Sequence, residues 1–123
     1  RIEIRGNNWK CFMDDRLMYE YNYNKIQKHY AIAGYDEQAN EIVVKLVNGE
    51  NCPWTTQVCL ENAGKLTGQG EMICLSGVTP QAENSFAAPE AIVPVRTPLQ
   101  HLSSTLKLTC KPNSFTIIRI GCE

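Results

Sequence analysis

Apolar and polar residues alternate in short runs along most of the chain. A period of two residues is typical of β-strands, because successive side chains of a strand point to opposite faces. No segment shows a sustained period of 3.6 residues, so no helix is predicted. The runs predict strands over residues 2–4, 9–13, 17–23, 30–34, 41–48, 55–60, 71–75, 106–110 and 115–120.

Turn-forming residues join these strands. Clusters at 6–8, 14–15 and 112–113 are signals for tight turns, residues 25–29 read as a polar connector, and glycines predict a loop over 64–70. Segment 41–48, EIVVKLVN, is apolar on both faces, which predicts a central strand covered on both sides or nearly so. The fold class that follows is all-β, a sandwich of short antiparallel strands.

One long segment, residues 82–96 (AENSFAAPEAIVPVR), follows no simple period. Pro89, Pro94 and the nearby Pro98 each fix φ and remove a backbone donor, which excludes a helix or a central strand. Its apolar residues predict an extended, polyproline-like crossover held against a surface. The polar cluster 83–85 either binds the backbone of this irregular segment or contacts a missing partner domain.

Aromatic residues are the candidates for a binding function. Leu17, Tyr19, Tyr21 and Tyr23 share one face of the predicted strand 17–23. Such a row either stacks on sugar rings or packs against a neighbouring layer of the protein, and Trp9 allows the same two interpretations. The candidate carbohydrate-stacking residues are Trp9, Tyr19, Tyr21 and Trp54.

Composition argues against several classes of partner. The 12 basic and 13 acidic residues give a net charge of −1, and no basic patch indicates a nucleic-acid surface. The longest apolar runs fall far short of the roughly 20 residues that cross a membrane, so no membrane partner is expected. The first residue is Arg1 rather than Met, so we expect a processed chain or part of a longer one.

Residues suited to metal binding or acid–base catalysis are few. His29 and His101 stand in polar contexts without a ligand partner at metal spacing, so neither a metal nor a cofactor is expected. The paired acids at 14–15 and 36–37 are typical of solvated turns, where aspartate binds its own backbone. No catalytic residue is predicted from these patterns.

The six cysteines lack the C-x-x-C pairs of zinc ribbons and redox motifs. Cys59, Cys74 and Cys110 lie inside apolar strand-like runs, where cysteine serves as a small hydrophobic residue. Mostly free, buried thiols are therefore the favoured interpretation, with one or more disulfides as the alternative.

Three pieces in series resemble one family. AIAGYDEQANEIVVKLVN is similar to the opening strands of the C-terminal domain of family 51 α-L-arabinofuranosidases, AENSFAAPEAIVPVR to its crossover, and KLTCKPNSFTIIRI to its closing hairpin. Together they cover roughly residues 30–121. Single strands of this kind are unspecific, whereas the crossover is unusual.

This resemblance implies a jelly-roll β-sandwich that packs beside a catalytic (β/α)₈ barrel. In such glycoside hydrolases two glutamates of the barrel, roughly 5 Å apart, carry out a retaining mechanism. A barrel needs about 200 residues or more, so no catalytic residue is carried over and this chain alone is not expected to be an enzyme. Its expected role is that of an accessory domain in L-arabinose metabolism, with the barrel as its partner and arabinose-containing polysaccharide as a second candidate partner. The alternative is a carbohydrate-binding module, and both weakly favour an extracytoplasmic location.

The first block, RIEIRGNNWKCFMDDRLMYEY, resembles the closing strands of laminin-G-like or concanavalin-like sandwiches. Two domain units are therefore expected. Residues 1–28 would be hairpin strands that end an upstream sandwich or pack on the main domain, and residues 29–123 would be the arabinofuranosidase-like sandwich.

Overall fold

The computed structural model describes residues 1–23 and 27–123 of the chain, which leaves part of the predicted connector 25–29 outside. The described residues form ten strands and no helix. The strands are β1 (Ile2–Arg5), β2 (Asn8–Met13), β3 (Arg16–Asn22), β4 (His29–Asp36), β5 (Glu41–Asn48), β6 (Trp54–Cys59), β7 (Leu66–Ser76), β8 (Val95–Gln100), β9 (Thr105–Cys110) and β10 (Ser114–Cys122). The all-β prediction is confirmed.

Three antiparallel sheets arise from these strands. The first is β1-β2-β3, the second is β4-β5-β10-β7-β8, and the third is the pair β6-β9. The prediction of antiparallel sheets is confirmed, and the arrangement is consistent with a sandwich. Its jelly-roll form and a domain boundary near residue 28 stay predictions.

The core lies between the five-stranded sheet and the β6-β9 pair. Ile118 and Ile120 of β10 are 1% and 0% exposed, and they pair in register with residues of both β5 and β7. Val44 and Leu46 of β5 and Cys110 of β9 complete the buried cluster. Half-buried side chains of the smaller sheet pack against it, namely Trp54, Val58, Leu106 and Leu108.

The turns of the first sheet have the predicted chemistry. Asp14 and Asp15 have φ values of +47° and +59°, and Gly6 has +59°. Consecutive positive φ values match the right-handed twist of a hairpin, and Asp and Gly adopt them at the lowest cost. The two hairpins predicted over residues 2–23 are confirmed to within two residues.

A buried asparagine joins the two turns at one end of the sandwich. Asn48 is 1% exposed, and its Nδ2 donates to the carbonyl oxygens of Cys52 and Lys111 at 2.9 and 2.8 Å. Its Oδ1 accepts the Glu50 amide at 3.0 Å. Because every polar atom of this side chain is satisfied, its burial fixes both turns.

The prediction of a loop over 64–70 is wrong from Leu66 onward, because β7 begins there. The glycines that suggested a loop serve other needs. Gly68 has a φ of +75°, and a Cβ at Gly70 would lie 2.2 Å from the carbonyl oxygen of Arg119 on β10. Glycine here permits close approach of two paired strands, beside an irregularity in the β7–β10 register.

The crossover 82–96 is confirmed as irregular up to its last residues, but β8 begins within it and contains Pro98. The proline is tolerated because β8 is an edge strand, with β7 as its one neighbour in the sheet. Asn84 Nδ2 donates to the Ile92 carbonyl at 3.0 Å, and Asn84 Oδ1 accepts the Ile92 amide at 2.7 Å. The interpretation that this cluster binds local backbone is confirmed for Asn84 and, through its bond to Ala88, for Ser85.

All six cysteines are free. Cys74 and Cys110 are buried, whereas Cys52 and Cys59 are exposed, so the small-hydrophobe interpretation is wrong for Cys59. Along β6 burial alternates, and Cys59 falls on the solvent side. Burial raises the pKa of the Cys110 thiol, which keeps it protonated at neutral pH.

We expect Ile120→Ala to lower the free energy of unfolding by about 2–5 kcal/mol, because it opens a cavity at the least exposed position of the core. Ile4→Ala, at a position 57% exposed, is the matched control and should change stability by less than about 0.5 kcal/mol. Urea denaturation followed by circular dichroism measures both. Equal shifts for the two variants would contradict this assignment of the core.

We also expect a graded response to a thiol reagent at neutral pH. Cys52 and Cys59 should react first, and Cys74 and Cys110 should react only on unfolding, since both are buried. The raised pKa of Cys110 protects that thiol further. Titration in denaturant without reductant should count all six thiols. A lower count would reveal a disulfide and contradict the free-thiol state.

Candidate binding surfaces

The first candidate surface is one face of the β1-β2-β3 sheet, here called the aromatic face. Trp9 of β2 lies directly opposite Tyr21 of β3 on one side and Ile4 of β1 on the other. In the next row Cys11 lies between Tyr19 and Ile2. Pairing thus brings three of the four sequence-predicted residues, Trp9, Tyr19 and Tyr21, together on one sheet.

The aromatic face is open to solvent. Trp9, Tyr19 and Tyr21 are 49%, 60% and 49% exposed. The Tyr19 and Tyr21 rings are nearly parallel, with centroids 6.4 Å apart and an angle of 11° between their planes. No second layer covers these rings within the described residues, so the predicted alternative, packing against a neighbouring layer of the protein, is not realised there. The row is therefore available to a ligand or to another domain.

The other face of this sheet is polar and bonded internally. Asn8 donates to the carboxylate of Glu20 at 2.8 Å, and Lys10 Nζ lies 3.2 Å from the same group. These two partners, first Asn8 and then Lys10, lower the pKa of Glu20. Because the polar face has its partners within the sheet, the open aromatic face is the side left to bind something.

Trp54, the fourth predicted residue, lies in a different environment. It belongs to β6, packs half-buried against the core cluster and stacks on His29, with ring centroids 4.3 Å apart at 16°. Among the described residues, His29 Nε2 has no hydrogen-bond partner. Trp54 is therefore anchored as part of the sandwich rather than placed beside Trp9.

The second candidate surface is the side of the five-stranded sheet that points away from β6 and β9, here called the outer face. The sequence prediction that β5 is a central strand is confirmed, but the expectation that both of its faces are covered is wrong, since Lys45 is exposed and Val43 and Val47 are half-buried. Register places eight apolar side chains on this face. They are Tyr30, Ile32, Val43, Val47, Ile73, Leu75, Phe115 and Ile117.

A charged cluster lies at one end of the outer face. Arg119 of β10 donates from Nε to Glu41 at 2.6 Å and from its second guanidinium nitrogen to Asp36 at 3.4 Å. The bond and the charge of Glu41 raise the pKa of Arg119. Asp36 also accepts the amides of Gln38 and Ala39 at 3.1 Å, which confirms its predicted role in a turn.

A groove of about 500 Å³ crosses the outer face beside this cluster. Gly34 lies in its wall with Ile32, Val43 and Ile117, and a Cβ added at Gly34 would meet no atom within 4 Å. The groove holds no pair of free carboxylates, because Asp36 and Glu41 both bind Arg119. It is suited to receiving an apolar or aromatic side chain.

The sequence pattern does not predict the uncovered outer face. EIVVKLVN is apolar at consecutive positions, which predicts cover on both faces of β5. Among the described residues, the core cluster packs only on its inner face.

Among residues 1–23 and 27–123, no group of three or more His, Cys, Asp or Glu side chains is placed to hold a metal ion. In the same ranges, no helix is long and apolar enough to span a membrane.

No protein-family profile matches the sequence, and no curated protein matches it. Solved structures do match this chain. The family 51 α-L-arabinofuranosidase from Thermotoga petrophila RKU-1 aligns with a TM-score of 0.67 at 16% identity, over 88% of this chain and 21% of its own. The family 51 enzyme from Bifidobacterium longum aligns with a TM-score of 0.63 at 25% identity, over 80% of this chain and 19% of its own.

A xyloglucanase of glycoside hydrolase family 44 from Paenibacillus polymyxa also aligns, with a TM-score of 0.57 at 14% identity, over 76% of this chain and 16% of its own. The chain therefore has the fold of a domain-sized portion of glycoside hydrolases. More particularly, it spans 15–21% of the family 51 arabinofuranosidases it matches, which is consistent with their C-terminal domain and confirms the resemblance predicted from sequence.

Proposed function

We propose that this chain is a non-catalytic accessory domain of an α-L-arabinofuranosidase, the whole enzyme hydrolysing terminal arabinofuranosides of plant polysaccharides. The likeness to family 51 arabinofuranosidases, limited to 15–21% of their length, supports a portion of such an enzyme. The observation that carries the accessory role is the outer face, an apolar sheet surface that needs a cover.

The occupant of the outer face is, in this proposal, the catalytic (β/α)₈ barrel of the parent enzyme. Tyr30 and Ile32 are 47% and 68% exposed, and Leu75 and Phe115 each retain more than a third of their accessible surface. Apart from the charged cluster at its end and the exposed Lys45 between Ile32 and Ile117, the side chains on the central strands of this face are apolar, and exposed apolar surface of this kind is typical of an interface. Burying it would stabilise the sandwich and the barrel together.

The charged cluster suits such an interface. Arg119 is already bonded to Glu41 and Asp36 within this chain. A charge that has its partners costs less to bury than an unpaired one, because its hydrogen bonds survive the loss of water. The cluster would therefore lie at the rim of the docked surface and favour one orientation of the barrel.

The second candidate function is a carbohydrate-binding module, and the aromatic face favours it. Trp9, Tyr19 and Tyr21 expose large rings on one side of a small sheet, and the two tyrosines carry hydroxyls that can hydrogen-bond to a polar ligand. Aromatic rings bind apolar faces of ligands while such hydroxyls hydrogen-bond, a combination that suits an arabinose-containing polysaccharide.

We expect the purified chain to show no turnover of an aryl arabinofuranoside, since the barrel that carries the chemistry would be absent.

We also expect the purified chain to raise the melting temperature of a family 51 barrel expressed without its own sandwich. Ile117→Glu, in the centre of the outer face, should abolish that shift, whereas Ile4→Glu on β1 should leave it intact. Turnover that survives purification controls would refute the non-catalytic role, and equal shifts for both variants would refute outer-face docking.

For the second candidate, we expect retarded migration of the chain in native gels that contain arabinan or arabinoxylan. Trp9→Ala with Tyr21→Ala should abolish the retardation, because stacking of one ring contributes about 1 kcal/mol or more. Tyr35→Ala is the control, since Tyr35 is 56% exposed but lies on β4. Unretarded migration of the unaltered chain at high polysaccharide concentration would remove this function and leave the accessory role untouched.

A further inference from the structure

Strand β4 forms one edge of the five-stranded sheet, with β5 as its one neighbour in that sheet. It is eight residues long, and its pairing with β5 runs from His29 to Asp36 without a register shift. Six consecutive residues, 30–35 (YAIAGY), are uncharged and exposed. An edge strand presents a row of backbone donors and acceptors that can pair with another strand.

The opposite edge of the same sheet is protected. Strand β8 contains Pro98, which lacks a donor, and Arg96, whose guanidinium pairs with Glu71 at 2.7 Å. Proline and charge are two devices by which proteins prevent unwanted strand pairing. Strand β4 has neither device between Tyr30 and Tyr35, although both edges belong to one sheet.

Gly34 gives a second and independent observation. Its φ is not positive, and no atom lies within 4 Å of an added Cβ, so neither a turn nor a close approach within this chain requires glycine. Glycine inside a strand costs stability and often marks a place where another chain or a ligand approaches. Here it opens the wall of the outer-face groove.

We propose that β4 pairs with β4 of a second copy of this chain, antiparallel about a two-fold axis that passes midway between the Ile32 residues of the two copies. An axis perpendicular to the sheet keeps the outer faces of both copies on one side. Directly opposite residues then lie on the same face, so an even-numbered residue faces an even-numbered one and an odd-numbered residue an odd-numbered one. Centring on Ile32 places Tyr30 opposite the partner copy's Gly34 and Ala31 opposite Ala33.

This register is complementary in shape and charge. The Tyr30 ring covers the glycine opposite and enters the groove beside it, an arrangement in which an aromatic residue shields a strand glycine. Lys28, just before β4, lies opposite Asp36 at each end of the pairing, where opposite charges would add to the contacts that Lys28 makes with Glu50 and Asp36 with Arg119. Ala31 of one copy faces Ala33 of the other, and these small side chains allow the two strands to approach closely.

A two-fold axis between the Ala33 residues of the two copies would give less favourable side-chain pairs. It would place Ile32 opposite Gly34 and Tyr30 opposite Asp36, and Lys28 would no longer lie opposite Asp36. The Ile32 register therefore joins two five-stranded sheets into one sheet of ten strands. This pairing uses the backbone of the β4 edge, which barrel docking does not use, although both proposals involve the side chains of Tyr30 and Ile32.

Sedimentation equilibrium of the whole chain tests the pairing. We expect the average mass to rise from 13.9 kDa toward twice that value, with half-association at about 10 μM to 1 mM, since one strand pair is a small interface. Ile32→Lys should weaken association by about tenfold or more, because like charges would meet on the axis. Ile4→Lys, on the edge strand of the other sheet, is the matched control and should leave association unchanged.

Two further arms test the register. Ile32→Glu should weaken association as Ile32→Lys does, and an equal mixture of the two variants should restore it, because position 32 faces itself across the axis. Gly34→Thr should leave the melting temperature of the dilute chain unchanged or higher, and should weaken association because it fills the space for Tyr30.

A monomer at every concentration would overturn the proposal. So would an Ile4→Lys effect equal to that of Ile32→Lys, or a mixture that stays as weak as its components. Association that grows beyond the dimer and ignores substitutions at Ile32 would also overturn it, since a two-fold pairing closes at two copies.

Discussion

The structure depends on burial of the inner side of β10. Ile118 and Ile120 lose all but 1% of their accessible surface, and β5 and β7 flank the strand that carries them. Because β10 ends the described sequence while β5 begins more than 60 residues earlier, the sheet closes only through pairings of long sequence separation. Removing or breaking β10 would therefore separate β4-β5 from β7-β8 and dissolve the core, rather than trim one strand.

The same strand also shapes the surface. Alternate residues of β10 point to opposite sides, so Ile118 and Ile120 enter the core while Ile117 and Arg119 lie on the outer face. A sandwich of one five-stranded and one two-stranded sheet covers only the inner side of the larger sheet. An uncovered apolar face with a paired arginine at its end is thus a direct consequence of unequal layers, and it supports the view that this domain works in contact with another.

Three open surfaces underlie the three proposals. The outer face is proposed to contact a large partner, the aromatic face to bind a sugar, and the β4 edge to pair with another strand. Within the described residues, each surface lacks something different: the outer face lacks a cover, the aromatic rings lack a second layer, and the β4 edge lacks a pairing strand. Sugar binding is independent of the other two proposals, which both involve the side chains of Tyr30 and Ile32.

Local pattern alone determined the all-β class, the Asp14-Asp15 hairpin and the binding of Asn84 to nearby backbone, because period-two alternation and turn chemistry act within a few residues. Sequence also identified the fold resemblance, through a crossover whose proline spacing is unusual. Tertiary structure decided what depends on distant pairing. It placed Trp54 against His29 rather than beside Trp9, let β7 continue through Gly70 by close approach to Arg119, and left the outer side of β5 uncovered. A sequence pattern shows that a strand face is apolar, but only the packed layers determine whether anything lies over it.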